Sequence, residues 1–357
     1  MIEVHVFNAF IQPSLKETAW YGVLNFFNGL VAPAFLFVAG MVFVVSSERK
    51  LESFRKYGTV FRKQLGRIVL IAVIGYGLHL PFFSLGRTLG GTTGNAWLKF
   101  AQVDILQCIA VGLLVMFAGR LILVERRAFG LFLWVMTAVM VMGAPFLWNI
   151  DFTRYLVPGM AAYLNGQQYS LFPLFPWLGF MLAGGLIGIG YLHSAEQGTE
   201  RRFVMRTVWL GGVLIAAYAM IELPIAVPYA STAIRSNPLF VALRLGIVLM
   251  LLSGCWWYAR HRSEGGSVVL DVSRETLLVY VAHLLVIYGT FWNDRSLVNL
   301  FGRSLSVVEC MAATAILGAV MIAGAKVWGR FKSSSQAQAR YVAFAGAFIV
   351  ILAFLVR

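Results

Sequence analysis

The 357-residue sequence contains 29 basic and 15 acidic side chains, a net charge of +14, and 60% hydrophobic residues. Only 12% of its residues are charged, whereas about 25% is usual for a soluble domain. This composition excludes a water-soluble fold and indicates a polytopic membrane protein. The basic residues lie between apolar stretches, where membrane topology explains them, so the charge does not favour nucleic-acid binding.

Ten stretches of the sequence are apolar over about the 20 residues that a helix needs to cross the hydrocarbon core. They cover residues 26–45, 68–85, 103–124, 128–148, 171–192, 207–227, 239–258, 276–292, 307–327 and 341–356. We therefore predict an all-α fold, a bundle of about 10 to 11 transmembrane helices that forms a single integral membrane domain over residues 1–357.

The loops between these stretches alternate between basic and nearly neutral. Residues 48–67 contain seven basic side chains, and the positive-inside rule places this segment in the cytoplasm. The loops predicted on that side then carry 20 basic residues and the opposite loops six. We expect a multi-pass protein of a bacterial cytoplasmic membrane with its basic loops inside. Residues 48–67 themselves could form a surface helix on anionic lipid or help to hold a phosphorylated cosubstrate.

The N-terminal segment 1–11 is apolar apart from Glu3, His5 and Asn8. At about 1.5 Å per residue it covers only half of a bilayer before Pro13. Two interpretations stay open: the chain starts inside a truncated first helix, at an internal methionine, or the segment is a short half-helix packed against the bundle.

Several polar side chains interrupt the apolar stretches, and an ionisable group in a membrane is a functional candidate. Given the predicted orientation, most of them lie in the outer half of the bilayer, as a cavity that opens outward would require. Asp104 and Gln107 are three residues apart and share a helix face, as do Asn25 and Asn28. A purely structural role as an interhelical hydrogen-bond partner is the competing interpretation, and we prefer it for Asn8, Asn25 and His79.

The three cysteines, Cys108, Cys255 and Cys310, lie in apolar runs without paired ligand spacing. The sequence therefore suggests neither a disulfide framework nor a metal site.

Four segments resemble the heparan-alpha-glucosaminide N-acetyltransferase catalytic-domain family of membrane acyltransferases. They are residues 28–40 (NGLVAPAFLFVAG), 103–110 (VDILQCIA), 172–179 (FPLFPWLG) and 273–283 (SRETLLVYVAH). The first helix of that family usually begins Asp-x-x-Arg-Gly. Here that motif is absent and His5 stands at the polar position that follows it.

The resemblance implies transfer of an acyl group, most simply acetyl from cytosolic acetyl-CoA, to a hydroxyl or amine of an extracytoplasmic sugar or glycolipid. Imidazole suits the proton transfer because its pKa lies near neutrality. We expect His5 to act as general base or transient acyl carrier, with His283 as the second candidate base and Asp104 orienting a histidine. The residues expected to line the acyl-CoA channel are Asn25, Asn28, Gln107 and Trp177.

The alternative function is that of a transporter or flippase, which also needs polar groups in a cavity. Against it, the sequence shows no internal repeat and no matched pair of broken helices. A structural membrane subunit would not explain a His, an Asp and a Glu within spans. Expected partners are membrane lipids, acyl-CoA and the acceptor; a homo-oligomer is left open, and neither nucleic acid nor a metal is expected.

Overall fold

The computed structural model describes residues 1–225, 233–262, 267–289 and 296–356. Within these ranges the chain is almost entirely helical and contains no strand, which confirms the predicted all-α class. The first ten helices are α1 (Ile2–Phe10), α2 (Ala19–Asn28), α3 (Val31–Glu48), α4 (Leu51–Arg55), α5 (Thr59–Gly77), α6 (Leu85–Gly91), α7 (Gly94–Phe100), α8 (Ile105–Ile122), α9 (Arg126–Leu147) and α10 (Pro158–Ala161). The others are α11 (Leu174–Glu196), α12 (Glu200–Ile225), α13 (Ala233–Ser236), α14 (Pro238–His261), α15 (Val268–Arg274), α16 (Thr276–Tyr288), α17 (Leu297–Phe301), α18 (Val307–Ser334) and α19 (Gln336–Val356).

Among the described residues, eight helical segments are long and apolar enough to cross a membrane, which confirms a multi-pass protein. They are the α2–α3 segment Ala19–Glu48, α8, α9, α11, α12, α14, α18 and α19. Of the ten predicted spans, α16 has only 13 residues and α5 begins with several basic side chains. The predicted ends at 227 and 292 lie outside the described residues.

Two boundaries differ from the prediction. Helix α5 begins at Thr59, inside the segment predicted as a loop, and ends at Gly77 rather than at residue 85. Pro81 follows shortly after, and proline disfavours helix in the residue before it and lacks an N–H donor. Arg120, which is one of the 20 basic residues counted in the predicted cytoplasmic loops although the predicted span 103–124 contains it, lies in the last turn of α8 and is buried.

The described helices group into two compact units, and each is treated separately. The first unit comprises Met1–Gly29, Leu80–Ala96 and Ser263–Arg357, and the second comprises Leu30–His79 and Trp97–Arg262. The prediction of a single domain stays a prediction.

In the second unit, α11 packs against α3 and α9, and α12 packs against α14. Glycines permit the closest approaches: a Cβ atom at Gly40 of α3 would overlap the Met181 carbonyl of α11, and one at Gly184 would overlap the Phe37 carbonyl. Small residues are common where membrane helices pack, because dispersion contacts replace the hydrophobic effect there.

In the first unit, α1 packs against α16 and α18. Val6, Phe7 and Phe10 are buried in an apolar cluster with Ile287 of α16 and Cys310 of α18, among others. The Gln12 N–H donates to the Leu305 carbonyl at 3.0 Å, and the Leu305 N–H donates to the Phe10 carbonyl at 2.9 Å. These contacts fix the position of α1 and therefore of His5.

Candidate active site

The two histidines predicted as bases lie together in the first unit. The ring centroids of His5 on α1 and His283 on α16 are 5.2 Å apart, with an angle of 52° between the ring planes. His283 is completely buried, whereas His5 is partly accessible. The Tyr288 hydroxyl lies 3.4 Å from His5 Nδ1. Tyr288 was not predicted, although its position one and a half turns after His283 could have suggested it.

The hydrogen bonding of His283 defines its neutral tautomer. Nδ1 lies 2.7 Å from the carbonyl oxygen of Val279, one turn earlier in α16. A carbonyl can only accept, so Nδ1 carries the proton and Nε2 holds the lone pair of the neutral ring. Nε2 is buried and has no hydrogen-bond partner among the described residues. A fixed tautomer with an unpaired Nε2 is the form that a general base requires.

Polar contacts hold α1 against α2 in the first unit. The Asn28 amide donates to Glu3 at 3.3 Å, and the Tyr21 hydroxyl donates to Asn8 at 3.0 Å. Asn28 thus contacts the helix that carries His5, whereas Asn25 is exposed on α2.

Asp104 also contacts a histidine, but that histidine is His79, in the second unit. Asp104 Oδ2 lies 3.4 Å from His79 Nε2, and the Gln102 amide lies 3.1 Å from His79 Nδ1. The other carboxylate oxygen accepts the Ile105 N–H at 2.7 Å and caps α8. His79, for which we preferred a structural role, is therefore the histidine that Asp104 contacts within this unit.

Gln107 and Trp177, both in the second unit, are buried with unused hydrogen-bonding groups. Neither the amide atoms of Gln107 nor the indole nitrogen of Trp177 has a partner among the described residues. Gln107 packs beside Gly75, where a Cβ atom would lie 3.0 Å from its amide, and Trp177 packs against Phe172. Buried polar groups are nearly always paired in folded proteins, so these two are candidates for contact with a ligand.

A tyrosine pair in the second unit was not predicted. The hydroxyls of Tyr76 on α5 and Tyr163 in the loop after α10 lie 2.8 Å apart. Burial, together with this hydrogen bond, raises the pKa of Tyr163 far above its ordinary value. No sequence pattern links the two positions, which lie 87 residues apart.

A buried ion-pair network was also missed. Arg120, only 3% exposed, binds Glu48 at 3.0 Å and donates to the carbonyls of Leu123 and Val124. Arg126 bridges Glu48 and Glu196 at 2.8 and 2.7 Å. The signal in the sequence was Arg120 itself. An arginine at the end of an apolar run is costly to bury without a partner, so a buried acidic partner could have been expected.

Within the ranges that the structure describes, no group of three or more His, Cys, Asp or Glu side chains could hold a metal ion.

Comparison with known families decides the classification. The family described as heparan-alpha-glucosaminide N-acetyltransferase, catalytic, matches residues 1–223, more than half of the chain. The chain belongs to this family. The family resemblance is thereby confirmed, and three of the four sequence segments lie within the match; the fourth, residues 273–283, lies outside it. Membership identifies a membrane acetyltransferase. No curated protein and no solved structure gives a significant match.

The matched region contains six of the seven predicted site residues. His283 lies outside it, in the C-terminal part of the chain. Its place in the candidate site therefore rests on its position beside His5 and on its own hydrogen bonding.

Proposed function

We propose that this member of the heparan-alpha-glucosaminide N-acetyltransferase catalytic family transfers an acetyl group from cytosolic acetyl-CoA to a hydroxyl or amine of an extracytoplasmic sugar or envelope acceptor. The observation that supports a histidine base is the geometry of His283. Its Nδ1–H is held by the Val279 carbonyl, and its buried Nε2 has no partner among the described residues.

In the proposed reaction, His283 Nε2 accepts the proton of the acceptor as the acceptor oxygen or nitrogen attacks the thioester carbonyl. The tetrahedral intermediate collapses by breaking the carbon–sulfur bond. The thiolate of coenzyme A takes up the proton from Nε2, so the products are the acetylated acceptor and free coenzyme A. General-base assistance of this kind contributes about 10² to 10⁴ in rate.

In this proposal His283 is the general base and His5 has a supporting role, whereas the sequence analysis placed His5 first as base or acyl carrier. Its ring lies against His283 and its Nδ1 is near the Tyr288 hydroxyl, so it can orient the base or stabilise the charge that forms on it. Gln107 and Trp177, which lie in the second unit, have unused hydrogen-bonding groups and remain proposed lining residues of the acyl-CoA channel.

The test is turnover of radiolabelled acetyl-CoA by the purified full chain, with glucosamine as the probe amine and water as the alternative acceptor. In the His283→Asn variant, the side-chain amide can still donate to Val279 but offers no lone pair at the Nε2 position. We expect the variant to fold and to lose about 10² to 10⁴ in kcat.

The matched control is His193→Asn, since His193 is exposed at the end of α11 and its Nε2 lies 3.2 Å from the side-chain nitrogen of Gln197. Its turnover should equal that of the wild type. Retention of full turnover by the folded His283→Asn variant would refute the assignment of His283 as the general base. Transport of glucosamine without any release of coenzyme A would favour the transporter.

A further inference from the structure

A basic pocket lies in the first unit, away from the histidine pair, where α15, α18 and α19 meet. Its volume is about 870 Å³, within the range of small-molecule sites. Five basic side chains line it: Arg274, Lys326, Arg330, Lys332 and Arg340. Its two acidic residues are Asp271 and Glu275, which leaves a net charge of +3.

The two acidic residues leave three of the five positive charges in the pocket without a counter-charge. Lys332 pairs with the buried Glu275, and Arg340 donates to the Gln336 carbonyl within its own helix at 3.3 Å. Among the described residues, neither Arg274 nor Arg330 forms an ion pair within 4 Å. The cavity therefore gathers like charges, which repel one another unless an anion binds between them.

Membrane topology alone does not account for this arrangement. The positive-inside rule explains why basic residues lie in the loops predicted to be cytoplasmic, but it sets no direction for their side chains. Here Arg274 comes from α15, Arg330 from α18 and Arg340 from α19, and all three line one concave surface.

We infer that this pocket binds a ligand with two or more phosphate charges. Guanidinium groups recognise phosphate through paired, charge-assisted hydrogen bonds, and three of the five cations are arginines. Two sources supply this chemistry: a soluble nucleotide with several phosphates, or the headgroup of an anionic lipid, for which basic pockets between membrane helices are known sites. The inference does not depend on acyl transfer, because phosphate binding can be measured without turnover.

The experiment compares the purified full chain with a pocket variant and a control of equal charge. The pocket variant is Arg330→Gln with Arg340→Gln. The control is Arg202→Gln with Arg206→Gln, which removes two exposed arginines from α12 in the second unit. Thermal unfolding establishes that all three proteins are folded.

Two probes separate the two sources. Binding of adenosine 3′,5′-bisphosphate is measured by calorimetry, and retention of cardiolipin after detergent washing is measured by native mass spectrometry. For at least one probe, we expect the pocket variant to bind about 25-fold more weakly, roughly a factor of five for each cation removed. The control should stay within twofold of the wild type.

The probe that responds identifies the source as a soluble phosphate or a lipid. If neither probe binds, or if the pocket variant and the control lose affinity equally, the pocket is not a phosphate site. Neither result bears on His283, whose test is turnover.

Discussion

The rings of His5 and His283 lie 5.2 Å apart, centroid to centroid, in the first unit. They are not equivalent, because only His283 is fully buried and held by a backbone carbonyl. This asymmetry leads us to expect a larger loss of turnover from substitution at His283 than at His5.

Replacing His5 by Phe should lower kcat by about tenfold, less than the loss of general-base assistance expected for His283→Asn. Phenylalanine keeps a ring against His283 but removes the nitrogen that faces the Tyr288 hydroxyl. Steady-state kinetics with acetyl-CoA and glucosamine measure both variants side by side. A larger loss for His5→Phe than for His283→Asn would reverse the assignment of the base.

Asp104 has two contacts that substitution can separate. Asparagine keeps an oxygen that can cap α8 at Ile105 but loses the charge beside His79, whereas alanine loses both. We expect Asp104→Ala to lower the free energy of unfolding by about 1 kcal/mol and Asp104→Asn by less. Thermal unfolding measures this difference. If Asp104→Asn is as stable as the wild type but loses turnover, the carboxylate charge contributes to the reaction. If its turnover is unchanged, Asp104 has only a structural role.

Glu48 neutralises a buried arginine, so Glu48→Gln should be the most damaging change in that ion-pair network. Arg120 would stay buried without a counter-charge, at a cost of about 3 kcal/mol in unfolding free energy. Arg126→Gln is the control: its side chain is 28% exposed, and Glu48 would keep Arg120, so about 1 kcal/mol or less is expected. Equal destabilisation in both variants would contradict the buried pair.

Gly40→Ala tests the close packing of α3 on α11. The new Cβ atom would overlap the Met181 carbonyl, and backbone cannot move aside as a side chain can, so a loss of about 3 kcal/mol is expected. Gly66→Ala on α5 is the control, because nothing lies within 4 Å of its Cβ position and alanine favours helix. The yield and melting temperature of monodisperse protein measure both. Equal values would mean that α3 and α11 pack less closely.

The pH dependence of stability tests the Tyr163 hydroxyl. Its pKa is raised in the folded state, mainly by burial, so folding favours the neutral phenol. The stabilisation is therefore complete below the unfolded pKa, about 10, and the free energy of unfolding falls as pH rises above that value. Tyr163→Phe should cost about 1 kcal/mol at pH 8 and remove part of the alkaline fall. Tyr155→Phe, at a residue 77% exposed, should leave the melting curves between pH 8 and 11 unchanged.

Local sequence was sufficient for the fold class and the family. Hydrophobicity over about 20 residues is a property of one segment, so most predicted spans correspond to long helices in the structure. The family motifs are likewise short contiguous runs. The errors lie where composition changes gradually along the chain. At the start of α5, basic residues counted as loop belong to the helix, and Arg120, also counted as loop, lies in the last turn of α8.

The candidate site needed the tertiary structure, because its contacts join segments that are distant in sequence. The sequence analysis identified His5, His283 and Asp104 as candidates, but the packing of α1 on α16 is what brings the two histidines together. Likewise, only the structure shows that the histidine in contact with Asp104 is His79. The basic pocket also needed the tertiary structure. The sequence shows which residues are basic and which loops carry them, but the convergence of arginines from α15, α18 and α19 depends on how those helices pack.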